Sequence, residues 1–218
     1  MKEYHKIDTP FNRDTEGTKK LIEGDFRNPT VEFLKDLIWQ WTEKIDGTNI
    51  RIHWDGHNIE IGGRTDKANI PPFLLDYLNN KFMNTETEEL FEQLFGEKEV
   101  FFYGEGYGAR IQNGGNYRSD VSFILFDIEI GDNFQPRATV EEMGKTFNID
   151  VVPIVGEGTI DEAIEFVKTK PKSTIGTADM EGVVARPLVE LRDRCGKRVI
   201  VKIKVCDFCW ENKYEIWI

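Results

Sequence analysis

Residues 43–49 read EKIDGTN. Lys44 and Asp46 stand two apart, and Asp46-Gly47 is a turn signal. Beyond it, Ile50, Ile52 and Trp54 alternate with Asn49, Arg51 and His53, Asp55-Gly56 turns the chain, and Ile59 and Ile61 resume the alternation. That is the pattern of a β-hairpin with one apolar face. A lysine is therefore expected beside a tight loop that feeds directly into a sheet. Upstream, Val31, Leu34, Ile38 and Trp41 recur at helical spacing, which predicts a helix over residues 30–41.

The rest of the chain continues the mixture. Helices are predicted over 71–83 and 86–95, the second with Thr85 and Glu88 in capping-box spacing and Gly96 at its end. Strands follow at 100–103 and 121–130. Thr159 and Glu162 form another capping box ahead of the apolar face Ile160, Ala163, Ile164 and Val167, which stops before Pro171. The last strands are 182–186 and 199–205. The expected class is α+β, antiparallel sheets flanked by helices. At 218 residues without repeats or long linkers, residues 1–218 suit one domain or two tightly joined lobes.

Composition narrows the function. With 39% hydrophobic and 31% charged residues, the chain is globular rather than disordered. The start, MKEYHKIDTPFN, lacks the apolar stretch of a signal peptide, and the apolar run around 123–126 is too short to cross a bilayer. A cytoplasmic protein without a membrane partner is expected. Cys206 and Cys209 would supply half a zinc site and Cys195 a third ligand, but His5, His53 and His57 lie far off in sequence, so reduced structural cysteines are expected instead.

Net charge is −11, yet residues 186–204 carry Arg186, Arg192, Arg194, Lys197, Arg198, Lys202 and Lys204 against Glu190 and Asp193, so 7 − 2 = +5 here and −16 elsewhere. This asymmetry suits one cationic surface for phosphates on a repulsive body, although a solvated hairpin has the same composition. The stretch GEGYGA at 104–109 fits a loose dinucleotide pattern, but RIQNGGNYR after it offers turn residues where a helix is required, which excludes a Rossmann site.

Six short motifs stand in order: Lys44-Ile45-Asp46-Gly47-Thr48-Asn49, Gly63-Arg64-Thr65, Tyr103-Gly104-Glu105-Gly106, Phe123-Ile124-Leu125-Phe126-Asp127-Ile128, Glu181-Gly182-Val183-Val184 and Val201-Lys202-Ile203-Lys204. This set resembles motifs I, Ia, III, IIIa, IV and V of the covalent nucleotidyltransferases, which comprise RNA ligases, DNA ligases and mRNA capping enzymes. The resemblance implies a nucleotidyltransferase (ATP-grasp-like) fold, ATP as co-substrate, Mg²⁺ or Mn²⁺, and RNA with 5′-phosphate and 3′-hydroxyl ends as partner, a nicked duplex among the forms. It also implies a mechanism in which Lys44 takes AMP from ATP, passes it to an RNA 5′-phosphate, and a 3′-hydroxyl then displaces it.

A free lysine, with a pKa of about 10.4, is neutral in only about one molecule in a thousand near pH 7.4. Lowering that pKa by about three is worth roughly 4 kcal/mol, which neighbouring cations can supply; Arg64, Lys202, Lys204 and the metal are the candidates. By resemblance Glu105 accepts a hydrogen bond from the ribose and Glu181 organises the metal through water. Phe126, two residues from the outward Ile124 and Ile128, stacks on adenine, with Phe123 on the opposite face in reserve. Lys202 and Lys204 share a strand face and grip phosphate oxygens, while Asp46 and Asn49 position the lysine loop. The catalytic set implied is Lys44, Asp46, Arg64, Lys202 and Lys204. The nucleotide-binding set is Glu43, Lys44, Asn49, Arg64, Glu105, Phe126, Glu181, Lys202 and Lys204.

Only 14 residues, 205–218, follow Lys204, too few for the OB domain of DNA ligases and capping enzymes. The resemblance is therefore nearest to the nucleotidyltransferase domain of the RNA ligase 2-like class in minimal form. A minimal ATP-dependent DNA ligase and a non-catalytic nucleotide- or RNA-binding module are the rival readings.

Overall fold

The computed structural model describes residues 1–112 and 114–208. In chain order the first strands are β1 (Phe11–Arg13), β2 (Leu21–Phe26), β3 (Trp39–Glu43), β4 (Thr48–Trp54), β5 (Ile59–Gly63) and β6 (Val100–Gly108). The others are β7 (Val121–Ile130), β8 (Asn133–Phe134), β9 (Asp150–Val151), β10 (Ile154–Gly158), β11 (Gly182–Pro187) and β12 (Val201–Lys204). The helices are α1 (Pro29–Leu34), α2 (Pro72–Phe82), α3 (Thr85–Phe95), α4 (Arg137–Thr146), α5 (Ile160–Lys168) and α6 (Val205–Phe208). The class is α+β, and every strand pair but β7–β9 is antiparallel. Among the described residues, no helix is long and apolar enough to cross a membrane.

The described residues divide into two compact units: those within 1–6, 45–152 and 175–178 form the first, and those within 7–44, 153–174 and 179–208 the second. In the first, the expected hairpin β4–β5 pairs through β4 with β6, which pairs with β7. One face of this sheet buries Ile50, Ile52, Phe102, Phe123, Leu125 and Ile128 beneath Leu74, Leu78 and Phe82 of α2, Phe91 of α3 and Val140 of α4. In the second, the sheet order is β10-β3-β11-β12. Trp39, Trp41, Val183, Ala185 and Ile203 pack there against Ile160, Ala163, Ile164 and Val167 of α5. The expected capping box starts α5: the Thr159 hydroxyl accepts from the Glu162 amide at 3.2 Å, and Glu162 accepts from the Thr159 amide at 2.8 Å.

Three expectations need correction. The helix predicted over 30–41 ends at Leu34, and Trp39 and Trp41 belong to β3 instead. Their period of two buries both tryptophans, while β10 and β11 satisfy the strand backbone from either side; Ile38, counted in the helical stripe, is 51% exposed. The cap of α3 is Asn84, whose side chain accepts from the Thr87 amide at 3.0 Å, so Thr85 is already helical. Finally, Ile124 and Ile128 do not share a face. The register of β6 against β7 runs Tyr103 to Asp127 and then Gly104 to Leu125, leaving Phe126 as an extra residue. This β-bulge reverses the alternation, so Ile128 enters the helix-covered core while Ile124 and half-buried Phe126 lie in a smaller cluster with Ile45, Tyr107 and Tyr117.

The bulge rests on Gly104. A Cβ there would lie 2.3 Å from the Phe123 ring and 2.4 Å from the Ile124 carbonyl oxygen. Gly104→Ala is expected to cost at least about 1–3 kcal/mol of stability, as overpacking does in a close-packed core. Urea unfolding reads this directly, and an unchanged midpoint would show that the bulge accommodates a methyl group.

Candidate active site

Three strand ends build the centre of the second unit. Strand β11 lies between β3 and β12, antiparallel to both, with Val183 opposite Glu43 and Gly182 opposite Lys204. The end of β3, the start of β11 and the end of β12 therefore fall at one edge of the sheet. The next residue after β3 is Lys44, the residue before β11 is Glu181, and the last of β12 is Lys204. Backbone bonds close the edge: the Lys44 amide donates to Gly182 O and the Val205 amide to Glu181 O, each at 2.9 Å. Gly182, with φ +154°, permits this close approach, since a Cβ would lie 2.1 Å from the Ile203 carbonyl oxygen.

The side chains meet at the same edge. Lys44 Nζ donates to Glu181 Oε2 at 2.6 Å, and Lys204 Nζ lies 2.7 Å from Glu181 Oε1. Burial raises the Glu181 pKa, but the charges and hydrogen bonds of Lys44 and Lys204 outweigh it and hold the carboxyl below its ordinary value. Burial likewise opposes the charge of Lys204, and the Glu181 carboxylate outweighs it, raising that lysine. The trio carries one net positive charge. Lys202, two residues before Lys204 on the half-buried face of β12, adds another. Such a cluster suits phosphate oxygens. Glu43, by contrast, is buried: its Oε2 accepts from the Thr174 amide at 2.9 Å and hydroxyl at 2.7 Å, and its Oε1 has no hydrogen-bond partner among the described residues.

The other expected residues lie in the first unit, which the chain enters at Ile45. The turn glycine earns its place there: a Cβ on Gly47 would lie 2.4 Å from the Gly106 carbonyl oxygen. The Asp46 amide donates to the Tyr117 hydroxyl at 3.2 Å. Tyr117 is 6% exposed and tethers the lysine loop; a tyrosine in a polar glycine-rich stretch carries no sequence signal for that contact. Asn49 stands opposite Glu105, and Glu105 opposite Ile124, forming one row across β4, β6 and β7. Half-buried Phe126 meets the ring of Tyr4 edge-on at 5.1 Å. Arg64 is exposed just beyond β5.

Among the described residues no three of His, Cys, Asp and Glu gather as a metal cage. Cys195 and Cys206 are exposed free thiols rather than buried packing residues, and Cys209 lies outside the described residues. At the lysine–glutamate centre the hard oxygen donor is the carboxylate of Glu181, a donor type that suits a divalent ion that keeps most of its water.

The depressed Glu181 pKa sets a pH dependence. A carboxyl whose folded pKa lies below its unfolded value of about 4.3 contributes stability above that value and loses it as pH falls through the folded pKa. Glu181→Gln should therefore be less stable than the wild type at neutral pH, with the gap narrowing in acid. Paired urea titrations at the two pH values measure this; a gap independent of pH would mean that the ion pairs contribute nothing.

Curated protein sequences return no match. Solved structures do. A mutant of Naegleria gruberi RNA ligase with ATP and Mn superposes with a TM-score of 0.64 at 18% identity, covering 90% of this chain and 55% of that one. A second mutant of the same ligase, with AMP and Mn, gives 0.62 at 17% identity over 91% of this chain and 60% of that one. The same ligase with PPi gives 0.62 at 18% identity over 94% and 62%. The chain therefore shares the fold of that ligase and spans somewhat over half of its length. A family model described as RNA ligase matches residues 37–204, from two residues before β3, the strand that precedes Lys44, to Lys204, the last residue of β12. The chain belongs to the RNA ligase family.

Proposed function

We propose that this chain is the nucleotidyltransferase part of an ATP-dependent RNA ligase of the RNA ligase 2-like kind, working through a covalent Lys44–AMP intermediate. The observation that carries the reading is the shared carboxylate: Glu181 holds Lys44 at 2.6 Å and Lys204 at 2.7 Å, within the span that the family model matches. The ATP, AMP and pyrophosphate bound by the Naegleria ligase are the co-substrate, transferred group and leaving group that such a reaction needs.

In the first step the Lys44 nitrogen attacks the α-phosphorus of ATP. An N–P bond forms, the bond from that phosphorus to the bridging oxygen breaks, pyrophosphate leaves, and the amine proton passes to solvent. An ammonium bound to a carboxylate has no free lone pair, so Lys44 must leave Glu181 and lose its proton beforehand. Glu181 would hold the divalent cation through water, and that cation would neutralise triphosphate charge. Lys202 and Lys204 take phosphate oxygens as negative charge moves onto the leaving group. In the second step an oxygen of an RNA 5′-phosphate attacks the adenylate phosphorus and the N–P bond breaks, returning Lys44 to its amine form. In the third, a 3′-hydroxyl attacks the activated 5′-phosphate, the phosphodiester forms and AMP leaves.

By family resemblance, Glu105 accepts from the ribose, Phe126 stacks on adenine, Arg64 meets phosphate, and Asp46 and Asn49 set the lysine loop. Glu43 acts one layer behind: its bonds to Thr174 fix the end of β3 from which Lys44 projects.

Incubation with Mg²⁺ and α-labelled ATP tests the reading. Label is expected on the polypeptide, released by 5′-phosphorylated RNA. Lys44→Ala should reduce labelling to background, and Glu105→Ala should weaken it by about 10- to 100-fold, the effect of one hydrogen bond to a charged group. Equal labelling of wild type and Lys44→Ala would refute the nucleophile. Absence of any adduct would favour a binding module, and release by 5′-phosphorylated DNA alone would favour a DNA ligase.

A further inference from the structure

Between the end of β11 at Pro187 and the start of β12 at Val201, residues 188–200 double back as a hairpin of their own. The Asp193 amide donates to Lys197 O at 2.7 Å, Gly196 to Asp193 O at 2.9 Å and Val199 to Leu191 O at 2.8 Å, and Arg192 pairs with Arg198 across the arms. The turn is capped from within. Asp193 Oδ1 accepts from the amides of Cys195 at 2.8 Å and Lys197 at 2.9 Å, and Gly196 takes φ +78°. Lower down, Arg198 is buried and grips Glu190 with two parallel bonds, Nε to Oε1 at 2.6 Å and Nη2 to Oε2 at 2.8 Å.

Both acidic residues of the segment are thus spent inside the hairpin, one on a buried arginine and one on the turn amides. Its exposed cations are Arg192, Arg194 and Lys197. The supporting strands extend the same charge: Arg186 lies on β11 and Lys202 and Lys204 on β12, each half-buried on its strand. Residues 186–204 carry +5 on a chain whose remaining residues sum to −16. A polyanion approaching this protein is repelled by most of the chain and attracted here.

We propose that the hairpin of residues 188–198 is a grip for the phosphodiester backbone of RNA, holding the strand away from its reacting end. The proposal rests on the RNA ligase reading for the identity of the polyanion. Exposed guanidinium and ammonium groups on a rigid turn contact phosphates irrespective of base, so the contribution is to affinity and not to sequence choice. It is separate from adenylyl transfer, because neither Arg194 nor Lys197 belongs to the lysine–glutamate centre.

The test compares wild type with Arg194→Gln/Lys197→Gln for binding of a 5′-phosphorylated RNA strand over a range of salt concentrations, alongside labelling by ATP. Losing two phosphate contacts is expected to lower the slope of log affinity against log salt by about 1.4 for a single strand. RNA affinity at low salt should fall at least about tenfold, since it is mainly electrostatic, while Lys44 labelling stays at the wild-type level. Arg194→Lys/Lys197→Arg, which keeps the charges, should bind as the wild type does. Unchanged affinity and slope in the glutamine variant would overturn the grip. Failure of the wild type to take label would instead count against the ligase reading, and the binding comparison would still decide what the hairpin does.

Discussion

One carboxylate between two ammonium groups organises the second unit. Glu181 receives Lys44 on one oxygen and Lys204 on the other, and all three side chains are largely removed from water, at 19%, 26% and 30% exposure in that order. Burying a single ion here would be costly, but the two cations more than compensate the carboxylate, as its depressed pKa records. The arrangement is a consequence of strand order. With β11 antiparallel to both neighbours, a residue just before it must sit beside the residues that end β3 and β12. Gly182 lets the strands approach closely enough for the side chains to meet.

The neighbouring loop is held with equal economy in the first unit. Gly47 lies against the Gly106 carbonyl, so the turn after the lysine tolerates no side chain, and the Tyr117 hydroxyl takes the Asp46 amide. Tyr117 belongs to a small cluster with Ile45, Tyr107, Ile124, Val152 and Ala178. Ile45, the residue after the lysine, is therefore a packing residue. Anchoring both of its flanks limits the conformations of the lysine loop, and pre-organisation of this kind is what group transfer to a fixed nucleophile requires.

Periodicity and turn chemistry made much of this legible. The hairpin of β4 and β5 and the cap of α5 follow from alternation and a capping box, and the expected strand 121–130 has the bounds of β7. The lysine–glutamate centre was legible only as a motif order, because no local pattern says that residues 44, 181 and 204 meet; that depends on which strands pair. What stayed hidden has the same origin. Trp39 and Trp41 read as helix until their partners β10 and β11 are known. The bulge at Phe126 is a property of two strands in register, and α4 begins at Arg137 behind Pro136, with no side-chain cap to announce it. Arg51 reads as the solvent face of a hairpin, yet it is fully buried, donating to the Gly63 carbonyl at 2.6 Å and to Asp66 at 2.9 Å.

Two lysines touch the same glutamate, so the choice of nucleophile is the sharpest claim made for this protein. Lys44 extends from the strand end beside a turn glycine, whereas Lys204 is the last residue of its strand. Mass mapping of the polypeptide after reaction with ATP and Mg²⁺ decides between them. The account predicts the mass of AMP on the peptide containing Lys44, lost on mild acid treatment as a phosphoramide is. AMP on the Lys204 peptide, or an acid-stable ester on a hydroxyl side chain, would contradict it.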